Sequence, residues 1–255
     1  MNHAISSIAL SLLLALSPMA AHGQDASLPA PADSLMHKIG PGLYAVGKLR
    51  LDQATHTVVF PAKVNMEKGP LEYLLVGPSG NAHESLLLTS EVEPRNLHMA
   101  MLLLGAKGSG IHAPGADDAP PGQLSKEYLE HAPKLVGDPL LISVKWKTKD
   151  GEEKKAAIED WIMKTDVHKP AERGPWIYNG SMFGASGNFL AQVEGNFAAL
   201  VTNPAALINN PRKGSDNDQI WTVNEKMVPP AKTPVEITIE LASPKDEAKD
   251  GTPIK

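Results

Sequence analysis

Cysteine is absent from all 255 residues. That excludes disulfides, thiolate chemistry and a cysteine-bound iron–sulfur cluster. It also excludes a lipoprotein anchor, whose acyl chains sit on a cysteine at the cleavage point. A basic bias is missing too, since Lys and Arg number 24 against 29 Asp and Glu, for a net charge of −5. A nucleic-acid partner is therefore not expected. No G-x-G-x-x-G or Walker pattern occurs, so the chain offers no nucleotide-binding motif. Beyond the N-terminus, no apolar run reaches the roughly 20 residues a membrane-crossing helix needs, so none is expected in the mature chain.

The N-terminus is the exception. Ile5 to Met19 is apolar and rich in Leu, and it ends in Ala21-His22-Gly23. Small residues three and one before a cut mark a secretory signal peptide, which predicts cleavage after Gly23 and a periplasmic or extracellular protein. Gln24 to Ser34 reads as a spacer, and residues 243–255, charged and Pro-containing, read as a disordered tail. The folded part then runs from about 35 to 242, long enough for one β-rich domain or for two subdomains dividing near 105–138.

Alternating apolar residues and Gly or Pro punctuation predict strands over 42–47, 49–51 and 55–60. Leu71 to Val76 and Asn81 to Ser90 flank Gly77-Pro78-Ser79-Gly80, which predicts an antiparallel hairpin. Pro94 to Leu104 changes period. Pro94 suits a first helical turn, Leu97, Met101 and Leu104 share a face, and Gly105 follows as a stop. Gly105 to Gly122 is a long loop, and Leu124 to His131 a short helix. Further strands are predicted over 140–148, returning at 155–163 after a turn, and over 176–183, 189–193, 196–201, 219–223 and 235–241. The fold class is α+β but mostly β, with antiparallel sheets and one helix, about 94–104, packed on a sheet.

Few residues offer chemistry. His83-Glu84 opens the 81–90 segment, and His98 follows in the helix's first turn. If 81–90 is extended, His83 and Glu84 point to opposite faces. A His–carboxylate–His metal or ligand site from His83, Glu84 and His98 then depends on how strand meets helix. The zincin pattern is broken, because Leu87 stands where its second His belongs. His112 with Asp117-Asp118 could hold a hard cation but matches no established calcium loop, and Asp216-Asn217-Asp218 reads as a solvated turn before the strand at Gln219. Gly184-Ala185-Ser186-Gly187-Asn188 fails the nucleophile-elbow pattern at its last position. Trp161, Trp176, Tyr178 and Trp221 fit a β core better than a groove. No catalytic residue is assigned.

Val64-Asn65-Met66, Leu71 to Val76, His83 to Leu87, Pro94, Leu97-His98 and Ala100 to Gly105 together resemble the bacterial YdjY-type domain family. The later phrases WIYNGS (176–181) and NPAALINN (203–210) look like its continuation in exported members. The resemblance implies a domain identity rather than an activity, and it groups His83, Glu84 and His98 in one site. Some relatives carry ferredoxin-like cysteine motifs, which this chain lacks. The leading expectation is an exported, non-catalytic binding or interaction module, its partner an unknown small ligand or an envelope protein and its cofactor unknown. The alternatives are a metal-dependent hydrolase using His83, Glu84 and His98, or a structural cell-envelope protein.

Overall fold

The computed structural model describes residues 36–109, 135–184 and 186–242. The signal segment, spacer, 124–131 helix and C-terminal tail expected from the sequence, and the loop expected around His112, Asp117 and Asp118, fall outside the described residues.

The described chain begins with a meander. Strands β1 (His37–Gly40), β2 (Leu43–Val46), β3 (Leu49–Asp52) and β4 (Thr57–Val64) pair in order, each antiparallel to the next. In β3 the apolar residues alternate, so Leu49 and Leu51 are buried while Arg50 is exposed. Next come β5 (Tyr73–Val76) and β6 (Ser85–Leu88), then helix α1 (Pro94–Leu103). β7 (Asp138–Lys147) and β8 (Glu153–Ala157) form the predicted hairpin. β9 (Ile162–Lys164), β10 (Lys169–Pro170) and β14 (Trp221–Val223) make a small three-stranded sheet. The remaining elements are β11 (Trp176–Tyr178), helix α2 (Leu190–Glu194), β12 (Asn196–Ala199), β13 (Ile208–Asn209) and β15 (Pro234–Leu241).

The main sheet closes on itself. Following the pairing from β4 through β15, β7, β11, β13, β12 and β5 leads to β6, which pairs back to β4. The result is an eight-stranded barrel of mixed direction, since β5–β6 and β12–β13 run parallel and the other pairs antiparallel. Closure leaves the barrel strands no free edge. The expected all-antiparallel sheets are thus corrected to a mixed barrel. The expectation of a mostly β chain holds, as does helix α1, whose start at Pro94 and stop before Gly105 match the signals that predicted it.

The β5–β6 hairpin is the clearest departure. Asn81 does not continue a strand, because its side-chain oxygen accepts from the His83 backbone N–H at 3.2 Å. An Asn side chain competes in this way with the sheet ladder. Residues Ala82–Glu84 wind into one 3-10 turn, and extension resumes only at Ser85. Asn65 holds that turn by donating to the Ala82 and Ser85 carbonyls at 2.6 and 2.8 Å. The chain thereby reverses twice between β5 and β6, and the two strands run parallel.

Residues 189–193, expected as a strand, begin a helix instead. Ser181 Oγ accepts from the Ala191 N–H at 3.1 Å, and Gly195 ends the turn at φ +69°. That glycine is a left-handed helix stop. Its backbone also sits against Ser79 and Gly80, where a side chain would collide at 2.6 Å.

The barrel interior is filled. Leu75, Leu87, Phe197, Ile208 and Ile237 point inward, and α1 sends Leu97 among them. The void left there is about 10 Å³, too small and too apolar to hold an ordered water. On full burial, Leu97 and Met101 would each contribute about 1.5–3 kcal/mol. Trp161, Trp176, Tyr178 and Trp221 are all at most 1% exposed and belong to this core.

Candidate functional site

His83, Glu84 and His98 have different surroundings. His83 is exposed on the 3-10 turn. Glu84, half-buried, accepts from Asn81 Nδ2 at 2.8 Å. Glu84 lies near Glu72, whose carboxyl is held above the usual carboxylate range by burial, then by the charges of Glu84 and Asp218. His98 is half-buried, and its Nδ1 lies 2.7 Å from the Tyr178 hydroxyl. Phe189 flanks the imidazole with ring centres 4.9 Å apart. Burial lowers the His98 pKa and, together with Asp138, pushes the Tyr178 hydroxyl far up, so both stay neutral near pH 7. Among the described residues, no three or more His, Asp or Glu side chains gather as a metal-holding group, and His83, Glu84 and His98 are no such set.

The two family-like phrases of the second half meet in space. Asn179 Nδ2 donates to the Pro204 and Ala206 carbonyls at 3.1 and 3.0 Å, and Asn209 Nδ2 donates to Asn179 Oδ1 at 2.8 Å. These amides are buried and satisfied, so their role is to hold the barrel closed beside β13. Asp216 to Asp218 forms an exposed turn before β14.

Among the described residues, a cleft with room for a ligand lies on the outer face of the barrel. Along β7 the neighbouring strand changes, from β11 at Asp138–Leu140 to β8 at Ser143–Lys147. The chain opens at that change, leaving a cleft of about 530 Å³. Volumes of this order suit small-molecule ligands. Leu141, Ser143 and Ala157 are on its lining, with Lys155 and Glu240 as charged lining residues and Asp160–Arg173 and Gly174 alongside. Leu141, Ser143, Lys155, Ala157 and Glu240 all share one face of the sheet by register.

The cleft is backed by a fixed polar wall. Arg173 grips Asp160 with two hydrogen bonds of 2.9 and 2.7 Å. Behind it, Arg212 Nη2 donates to Glu159 Oε1 at 2.6 Å, and Trp176 Nε1 donates to the same oxygen at 2.8 Å. Arg212 also donates to the Glu172 and Gly174 carbonyls and to Asn210. Its guanidinium lies over the Trp176 ring, 5.1 Å from the centre. Burial lowers the Arg212 pKa, and Glu159 opposes that effect. Neither the Asp160–Arg173 pair nor the Glu159–Arg212 pair stood out in the sequence. Glu159 and Arg212 are 53 residues apart, and only the folded barrel joins them.

The fold and the site together define a closed, mixed β-barrel with a filled interior and an external cleft. Residues 49–240 match the model of the YdjY domain, a span from the start of β3 to nearly the end of β15. The chain belongs to that family. Comparison with curated proteins and with solved structures finds no match. Among the described residues no helix is long and apolar enough to cross a membrane.

Proposed function

We propose that this chain is an exported, non-catalytic binding module and that its ligand sits in the cleft beside β7 and β8. The carrying observation is the contrast between the two volumes, about 10 Å³ inside the barrel and about 530 Å³ on its outer face. Eight-stranded barrels that hold a ligand inside keep an open interior, and this interior is filled. A ligand therefore has to bind outside. The Asp160–Arg173 and Glu159–Arg212 pairs give the cleft a rigid polar wall, which lowers the ordering cost of binding. Export rests on the N-terminal apolar run and its Ala21-His22-Gly23 ending. N-terminal sequencing of the protein recovered outside the cytoplasm should begin near Gln24. Intact Met1 on a cytoplasmic pool would overturn export.

The test of the site uses Ala157→Trp, which fills the cleft from its floor. Ala157 is half-buried at the end of β8, so the indole has room to lie in the opening. A panel of small polar metabolites is screened by thermal shift on the parent protein and on the variant. Stabilisation of the parent that the variant loses supports the reading. Equal stabilisation of both proteins contradicts it.

A further inference from the structure

Resting on the cleft as the ligand site, we propose that its ligand is a short zwitterionic peptide of about three residues, with an apolar or small-residue body. The first observation is which charges of the cleft are already used. Asp160 is paired with Arg173 and Glu159 with Arg212. Lys155 and Glu240 also line the cleft, and neither forms an ion pair among the described residues. One free cation and one free anion remain.

The second observation is their placement. Lys155 pairs with Lys145 of β7, and Glu240 pairs with Leu141 of β7. The two therefore stand two strands apart across the sheet and four residues apart along it. With strands spaced ~4.8 Å and residues ~3.4 Å, their Cα atoms are about 17 Å apart. An extended tripeptide spans about 10 Å, and the two long side chains close the remainder by leaning inward. An ammonium terminus meets Glu240 and a carboxylate terminus meets Lys155. A doubly charged anion would lack a second free cation, and a dication would lack a second free carboxylate.

The third observation is the floor between these charges. Leu141 is 47% exposed there, with Ser143 and Ala157 beside it. An exposed leucine beside Glu240, with Ser143 midway to Lys155, suits an apolar or small-residue body with charged ends. Small neighbours on the floor let a peptide backbone come close.

Trialanine and trialanine blocked at both ends by acetyl and amide groups are the probes, read by titration calorimetry. Four proteins are compared: the parent, Lys155→Met, Glu240→Gln and Ala157→Trp. Lys155 and Glu240 are exposed, so folding tolerates both changes, and melting curves verify it. Trialanine should bind the parent saturably. Each charge-removing variant should weaken it about threefold, as for a partly exposed ion pair. Blocking both ends should weaken binding about tenfold, since two separated pairs add. Ala157→Trp should abolish it. Absence of saturable trialanine binding, or equal affinity for free and blocked peptide, overturns the assignment. If trialanine fails while other metabolites bind the parent and not Ala157→Trp, the tripeptide assignment falls and the cleft reading stands. If no compound distinguishes the parent from Ala157→Trp, both fall.

Discussion

Arg212 and Glu159 face each other at 2.6 Å with 8% and 4% of their side-chain surfaces exposed. Two opposite charges taken out of water depend on one another, because removing either strands its partner. Glu159→Gln keeps an acceptor for Trp176 but leaves the guanidinium uncompensated. The expected loss is about 3–5 kcal/mol of unfolding free energy, read by chemical denaturation. Replacing both by Glu159→Gln with Arg212→Met, which keeps the acceptor for Trp176 Nε1, should recover part of it. A single variant as stable as the parent would show that solvent already reaches the pair.

The His98–Tyr178 contact makes a pH prediction. Burial lowers the folded His98 pKa below its ordinary 6.5. As pH falls through 6.5 the unfolded chain takes up a proton that the folded chain refuses. Stability from this residue is therefore complete above 6.5 and declines as pH falls toward the folded pKa. Denaturation midpoints between pH 7.5 and 5, compared for the parent and His98→Gln, isolate the effect from the other histidines. The parent should lose more stability on acidification than the variant. Parallel curves would contradict the burial of this imidazole.

Tyr178→Phe removes the hydroxyl and leaves the His98 Nδ1 without its partner. About 1–3 kcal/mol should be lost, the usual cost of a half-made buried hydrogen bond. Phe fills the same space, so thermal unfolding reports the bond rather than a cavity. An unchanged midpoint would mean that water replaces the hydroxyl freely.

Met101 is fully buried on the inner face of α1. Met101→Asp places an unpaired carboxylate in the core, and a loss of about 4 kcal/mol or more is expected by urea denaturation. An intact midpoint would contradict the docking of α1 against the barrel.

How legible the fold was depends on the range of the interaction concerned. Helix α1 was readable because its signals are local: Pro94 at the start, Leu97 and Met101 on one face, Gly105 at the end. The long strands β7 and β15 were readable from alternation, as in Ile237 and Ile239 inside with Glu236 and Thr238 outside. The parallel pairing of β5 with β6 was not, because Asn81 looks the same in a hairpin turn and in a 3-10 turn. Helix α2 was missed because Phe189 and Val193 suggest a strand, while its cap comes from Ser181, ten residues away in the chain. The cleft was invisible for a stronger reason. It exists because β7 changes partner along its length, and nothing in LLISVKWKT encodes which strand arrives on either side. Trp161, Trp176 and Trp221, expected in the core, are there.

Ligand location is the centre of this account, and amide chemical shifts locate it most directly. Backbone amides of the isotopically labelled protein are followed while trialanine, or any compound that stabilises the parent but not Ala157→Trp, is added. Shifts should concentrate at residues 141–143, 155–157 and 173–174, around the cleft. Shifts concentrated instead at 82–84 and around His98, with the cleft amides unmoved, would contradict the account.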